Sequence, residues 1–191
     1  MDERRQRILL TAQQVFSEQG FRSAEVKTIA ERAGVGKATI YKFFGSKEAL
    51  LLTIVQENFN AMRDGALSEL LSNQRPLEKL RNITRVIASF LAGNREFSRV
   101  IIREAGEFAD EMQRQYNALI EQHLPLAEIF FAELRKEGYF TRYNTRDSIT
   151  MMVNLMIGST YSYAITGEGN LEQQAMLYLD VLVSGMQRSQ A

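Results

Sequence analysis

Several residue types are missing or scarce in this chain, and each absence narrows what the protein can be. Its 191 residues include no cysteine, no tryptophan and one histidine. Without cysteine there is no disulfide framework and no thiolate ligand for zinc, so we expect no metal site and no cofactor. No run of about 18 uncharged apolar residues occurs, and the N-terminus leads into an amphipathic segment, so we expect neither export nor membrane insertion. A chain without cysteine suits the reducing cytoplasm, where we expect this one.

Net charge is absent too, because 23 Lys and Arg balance 23 Asp and Glu. The charges are unevenly spread along the chain. Residues 1–50 hold nine basic and six acidic residues, a net charge of +3, which leaves −3 for the remainder. A basic N-terminal quarter on a neutral whole is typical of a DNA-binding module joined to a separate sensing body. This difference in charge between the two parts of the chain is small and is weak evidence for DNA binding by itself.

One stretch, residues 26–44, has the spacing of a helix-turn-helix. Ala30 is small where two helices would cross closely, Gly34 can adopt the left-handed conformation of the turn, and Ile40 returns an apolar side chain to the crossing. The second helix, residues 37–43, leaves polar and basic side chains on its other faces, which suits the major groove of DNA. It is the predicted recognition helix.

Further positions extend this pattern in both directions. They are Ala12, Phe16, Gly20-Phe21, Ile29-Ala30, Arg32-Ala33-Gly34-Val35, Lys37-Ala38-Thr39-Ile40-Tyr41, Phe44 and Ser46-Lys47-Glu48-Ala49-Leu50. Together, from Ile8 to Leu52, they resemble the DNA-binding domain of tetracycline-repressor (TetR) family regulators. At Gly36 that family commonly has a small hydroxyl residue as a cap, and glycine is an acceptable replacement.

The resemblance implies a set of DNA-contacting residues. They are Lys27, Gly36, Lys37, Ala38, Thr39, Tyr41, Lys42 and Lys47. Lys37 and Lys47 would supply charge to phosphates, and the hydroxyl groups of Thr39 and Tyr41 would donate hydrogen bonds to the DNA backbone. The candidates for base edges are Lys27, Lys37 and Lys42. For each lysine the alternative is a solvated surface charge.

Apolar residues recur at helical spacings along the rest of the chain, and no period-two alternation predicts a strand. We therefore predict an all-α protein of about nine helices. Residues 1–47 would form a three-helix helix-turn-helix DNA-binding domain, and residues 48–191 a larger helical ligand-binding and dimerisation domain. Ser23, Ser46 and Thr145 are the expected N-caps of three helices. The helix that Ser46 opens would link the two domains mechanically.

The resemblance also implies a ligand pocket among the middle helices. Its predicted wall consists of Phe97, Ile101, Phe108, Tyr116, Leu119, His123 and Phe130. Pro125 should bend the helix that carries His123, beside this pocket. Plain core packing is the alternative for the aromatic residues and for His123 alike.

The last two helices, residues 147–166 and 170–187, hold more apolar surface than one small body can cover. They predict a two-fold homodimer that packs as a four-helix bundle. The expected function is that of a cytoplasmic homodimeric repressor on a palindromic operator, released by a small hydrophobic or amphipathic effector. Two alternatives stay open: a DNA-binding regulator with no inducer, and a small helical enzyme or carrier protein. The chain has no Gly-x-Ser-x-Gly turn, and no catalytic residue is assigned.

Overall fold

The computed structural model describes residues 3–104 and 109–185, without the side chains of residues 109–113, 115, 116 and 118–120. Every regular element in these ranges is a helix. In chain order they are α1 (Glu3–Gln19), α2 (Val26–Ala33), α3 (Lys37–Phe44), α4 (Lys47–Leu70), α5 (Pro76–Gly93), α6 (Arg95–Glu104), α7 (Ala109–Lys136), α8 (Thr145–Thr166) and α9 (Leu171–Gly185). The predicted all-α fold is confirmed. Residues 186 and 187, expected in the last helix, lie outside the described residues.

The described residues divide into two compact units. The first unit comprises residues 3–61 and 94–104, which include α1, α2, α3, most of α4 and α6. The second unit comprises residues 62–93 and 109–185. The predicted boundary between residues 47 and 48 falls in the first turn of α4, whereas the first unit continues beyond it. Within this unit α4 is joined to α1 by a hydrogen bond that Asn58 donates to the Gln13 side chain at 3.0 Å.

The helix-turn-helix forms at the predicted residues. Gly34 has φ 64° and ψ 40°, in the left-handed region, and its N–H points to the carbonyl oxygens of Ala30 and Glu31. Ile40 is fully buried and Ala30 nearly so, as the close crossing of α2 and α3 requires. Gly36 is the N-cap of α3 in an extended conformation, with φ −77°.

The helix caps follow the expectation at one place and depart from it at two. Ser46 caps α4 as predicted, because its Oγ accepts from the Ala49 N–H at 3.0 Å. Ser23 does not cap α2: it lies in the turn before that helix, and Glu25 holds the cap position. At α8 the cap is Asn144, whose side chain accepts from the Asp147 N–H at 2.8 Å, and Thr145 is the first helical residue.

The second unit has an aromatic core. Its buried members come from α5, α7, α9 and the loop after α7: Leu80, Phe130, Phe131, Leu134, Phe140, Leu179 and Val183. The ring of Phe131 meets those of Phe130 and Phe140 edge-on, with centroids 5.7 and 5.3 Å apart. Burial of each such side chain stabilises the unit by about 1.5–3 kcal/mol. In the described part of the chain, no helix is long and apolar enough to span a bilayer.

Candidate nucleic-acid interface

One face of α3 is exposed and basic, and the opposite face anchors the helix. Ile40 is fully buried and Phe44 is 9% exposed, so they hold α3 against the first unit. Lys37, Ala38, Tyr41 and Lys42 are exposed on the other faces of α3, and the N-cap residue Gly36 is exposed as well. The sequence of α3 contains no acidic residue. The exposed face therefore offers two ammonium groups and a phenol hydroxyl, with Thr39 half-buried beside them.

Polar side chains of α1 set the position of the helix-turn-helix. The Arg7 Nε donates to the carbonyl oxygen of Ala33, at the end of α2, at 2.8 Å. Near the other end of α1, Glu18 accepts from Arg32 at 2.7 Å. This second pair is exposed, and such pairs contribute little, about 0–1 kcal/mol. α1 also packs against α2. Its Ile8 and Phe16 side chains are fully buried, and burial of each such side chain contributes about 1.5–3 kcal/mol, more than the exposed ion pair.

Two of the predicted DNA-contacting lysines have partners within the first unit. The Lys27 Nζ lies 3.9 Å from the Glu31 carboxylate, one turn further along α2, and both side chains are mostly exposed. Lys47 is half-buried, and its ammonium donates to backbone carbonyl oxygens of the turn between α1 and α2. Which of the predicted residues touch DNA stays a prediction.

The described members of the predicted ligand pocket belong to both units, and their grouping around one cavity stays a prediction. Phe97 is fully buried in the first unit, where its ring meets Phe59 edge-on at 5.8 Å. Phe130 is 6% exposed in the core of the second unit. Ile101 and His123 are half-buried. Phe108 lies outside the described residues, as do the side chains of Tyr116 and Leu119.

The His123 side chain has a buried nitrogen atom, Nε2, without a hydrogen-bond partner in the described part of the chain. An unpaired polar atom in that position costs about 1–3 kcal/mol unless a partner arrives. The atom is available to hydrogen-bond a bound polar group.

Large apolar side chains on α8 and α9 are exposed in the single chain. On α8, Ile157, Tyr161 and Ile165 follow one another at intervals of four residues and are 53–60% exposed. On α9, Leu177 and Val181 have the same spacing and are 60% and 65% exposed. Side chains four residues apart lie on one face of a helix, so each helix has an uncovered apolar stripe.

Comparison with known proteins covers both units. The family model for bacterial regulatory proteins of the tetR family matches residues 8–54. The model for the tetracyclin repressor-like C-terminal domain matches residues 73–186. The first match contains the helix-turn-helix and the start of α4, and the second contains the stripes on α8 and α9.

Individual relatives are regulators as well. The transcriptional activator FasR of Mycolicibacterium smegmatis is 31% identical over 100 residues, which are 52% of this chain and 46% of that protein. The fatty acid metabolism regulator protein of Bacillus subtilis is 25% identical over 131 residues, 69% of this chain and 68% of the relative. The solved structure of the fatty acid degradation regulator FadR from Bacillus halodurans has the same fold, with a TM-score of 0.86, 24% identity and coverage of 98% and 99% of the two chains. The chain spans less than half of FasR, but the two family models together span most of its own length, and it therefore belongs to the TetR family of transcriptional regulators.

Proposed function

We propose that the protein is a homodimeric, ligand-responsive transcriptional repressor of the cytoplasm that binds a palindromic operator through α3. The exposed basic face of α3, free of acidic residues and anchored by Ile40 and Phe44, is the observation that supports this most. In a two-fold dimer, two such helices enter successive major grooves about 34–36 Å apart. The Lys37 ammonium would contact phosphate, and Lys42 would reach base edges.

Selection from a pool of random duplexes tests the DNA-binding part. We expect enrichment of a palindrome whose half-sites are about one helical turn apart. On that duplex, Lys37→Ala should weaken binding and lower the salt slope by about 0.9 for each lost phosphate contact. Lys42→Ala should instead relax sequence preference at one position of each half-site. Enrichment of no sequence, or equal effects of both variants on the selected and a random duplex, would refute the assignment.

The dimer would form through residues 147–166 and 170–187, and a second copy of the chain is the partner that we propose for the stripes on α8 and α9. Ile165→Glu places a charge in one stripe and should turn the dimer into a monomer in sedimentation equilibrium. Leu71→Glu is the matched control, because Leu71 is 73% exposed, compared with 60% for Ile165, and lies after α4. A dimer unaffected by Ile165→Glu, or one lost equally in both variants, would refute this interface.

For the effector we propose an amphipathic small molecule, with fatty acids and fatty-acyl compounds as the first class to test. Two of the relatives are named as regulators of fatty acid metabolism or degradation. The unpaired Nε2 of His123 could bond the polar end of such a molecule. Binding would favour dimers whose recognition helices no longer match the operator spacing, with α4, which runs from the first unit into the second, as the link.

Titration of fatty acids of increasing chain length into the protein–operator complex tests the effector. We expect release at low concentration for one range of lengths, and weaker release in His123→Ala. No release and no thermal stabilisation by any member would favour a regulator that lacks this inducer. Transcription from the selected operator with and without the protein tests the sign of regulation, since FasR is named an activator.

A further inference from the structure

The turn between α1 and α2 is held by the side chain of Lys47, at the start of α4. The Lys47 ammonium donates to the carbonyl oxygens of Phe21 at 2.8 Å, Ala24 at 3.1 Å and Arg22 at 3.3 Å. It also lies 4.5 Å from the centroid of the Phe21 ring, within range of a cation–π contact. One cation thus connects the start of α4 to three carbonyl oxygens of the turn between α1 and α2.

The Lys47 ammonium has no N–H donor left over for a DNA phosphate. A lysine ammonium has three N–H donors and no acceptor. Three carbonyl oxygens accept from Lys47, so its donors are all used. A phosphate could be bound only if one or more of these bonds broke, and a hydrogen bond to a charged donor contributes about 1.5–3 kcal/mol. Lys37 and Lys42, by contrast, are exposed and have no acceptor in the described part of the chain.

The same turn is held from α6 as well. The Phe21 N–H donates to the Glu104 carboxylate at 2.9 Å, and this bond is buried. At Gly20, a Cβ atom would lie 3.0 Å from the Arg103 Nε, so α6 packs directly on the start of the turn. Both backbone groups of Phe21 are therefore bonded to charged side chains, its N–H to α6 and its carbonyl to α4.

We propose that Lys47 is a positioning residue for DNA binding and not a phosphate contact. By fixing the turn, it fixes the direction in which α2 leaves α1, and so the direction of α3. This inference rests on the proposed function, because it concerns how the protein binds DNA. Removal of a phosphate contact would lower both the DNA affinity and the salt slope of binding. Removal of the Lys47 ammonium should lower the affinity at every salt concentration and leave the salt slope unchanged.

The first experiment measures both quantities on the full-length protein and its selected duplex. Lys47→Met keeps the apolar stem and removes the charge, and Lys37→Met is the matched control. We expect the control to lower the slope by about 0.9 per subunit, or about 1.8 per dimer. We expect Lys47→Met to lower affinity several-fold with the slope of the unaltered protein. A slope lowered as in the control, or an unchanged affinity, would overturn the proposal.

The second experiment needs no variant, and its first measurement needs no DNA, so it separates this proposal from the proposed function. The unaltered protein is acetylated with a succinimidyl ester, and the rate at each lysine is read by mass spectrometry. Lys47 should react more slowly than Lys37 and Lys42 because its amine is occupied by carbonyl oxygens. Selected duplex should then protect Lys37 and Lys42 and leave the rate at Lys47 as it was. Rapid labelling of Lys47 in the free protein, or its protection by duplex, would overturn the positioning role, whereas failure of any duplex to bind would overturn only the proposed function.

Discussion

Alanine should cost more stability at Gly45 than at Gly34, because the two glycines have different backbone conformations. Gly34, with φ 64° and ψ 40°, lies in the left-handed region that an L-residue enters at a cost of about 1–2 kcal/mol. Gly45, at the end of α3, has φ 79° and ψ −50°, outside all three regions open to an L-residue. At neither position would a Cβ atom meet another atom within 4 Å. The difference in cost therefore comes from the backbone alone.

Thermal unfolding measures this difference. Replacing glycine also restricts the unfolded chain, which returns about 0.4–1 kcal/mol, equally at both positions. For a chain of this size, about 1 kcal/mol corresponds to about 2–4 °C in Tm. We expect Gly34→Ala to lower the Tm by a few degrees at most, and Gly45→Ala to lower it clearly further. Gly34→Asn is the control, since asparagine tolerates the left-handed region. Equal losses for the two alanine variants, or a larger one at Gly34, would refute the reasoning.

Two further perturbations have definite expected outcomes. Gly65→Ala gains about 1 kcal/mol of helix propensity, but its Cβ atom would lie 2.9 Å from the Val86 Cγ1 on α5. The Tm should therefore fall in Gly65→Ala and recover when Val86→Ala is added. Additive effects of the two substitutions on the Tm would contradict this. The backbone N–H of Glu48 itself and the Ser46 hydroxyl donate hydrogen bonds to the Glu48 carboxylate and lower its pKa, although burial opposes them. The ionised group therefore stabilises the fold above the ordinary glutamate pKa, and this contribution is lost as pH falls through the lowered value. Thermal unfolding of Glu48→Gln between pH 7 and pH 3 should show a weaker loss on the acid side, and parallel curves would disprove it.

Local features were predictable from the sequence because they depend on residues close together in the chain. The turn at Gly34 and the buried Ile40 lie within one short stretch, where spacing alone decides the conformation. Helix existence followed from apolar periodicity in the same way. The N-cap of α8 did not follow from spacing, because the neighbours Asn144 and Thr145 are both common N-cap residues. The cap is Asn144, one residue before the predicted one.

Features that depend on distant contacts were not predictable. The place of α6 in the first unit depends on its packing against α1 and on long-range bonds such as that between Glu104 and Phe21, which are 83 residues apart. Phe97 and Phe130 have the same apolar character in a core as in a pocket wall, so the sequence alone does not assign them to one or the other; both are buried within their own units. Lys47 has the same charge whether it meets phosphates or carbonyl oxygens, so the sequence could not distinguish the two.

The first unit is built from two separated pieces of chain, and this has a consequence for evolution and engineering. A recombination event that exchanged operator specificity by a single crossover after residue 61 would bring in a new α1–α2 turn while keeping the old α6. The N–H of the incoming turn would then need a hydrogen-bond acceptor like the Glu104 carboxylate on the α6 of the other parent. Functional hybrids between such regulators should accordingly be those in which residues 94–104 travel with the N-terminal segment.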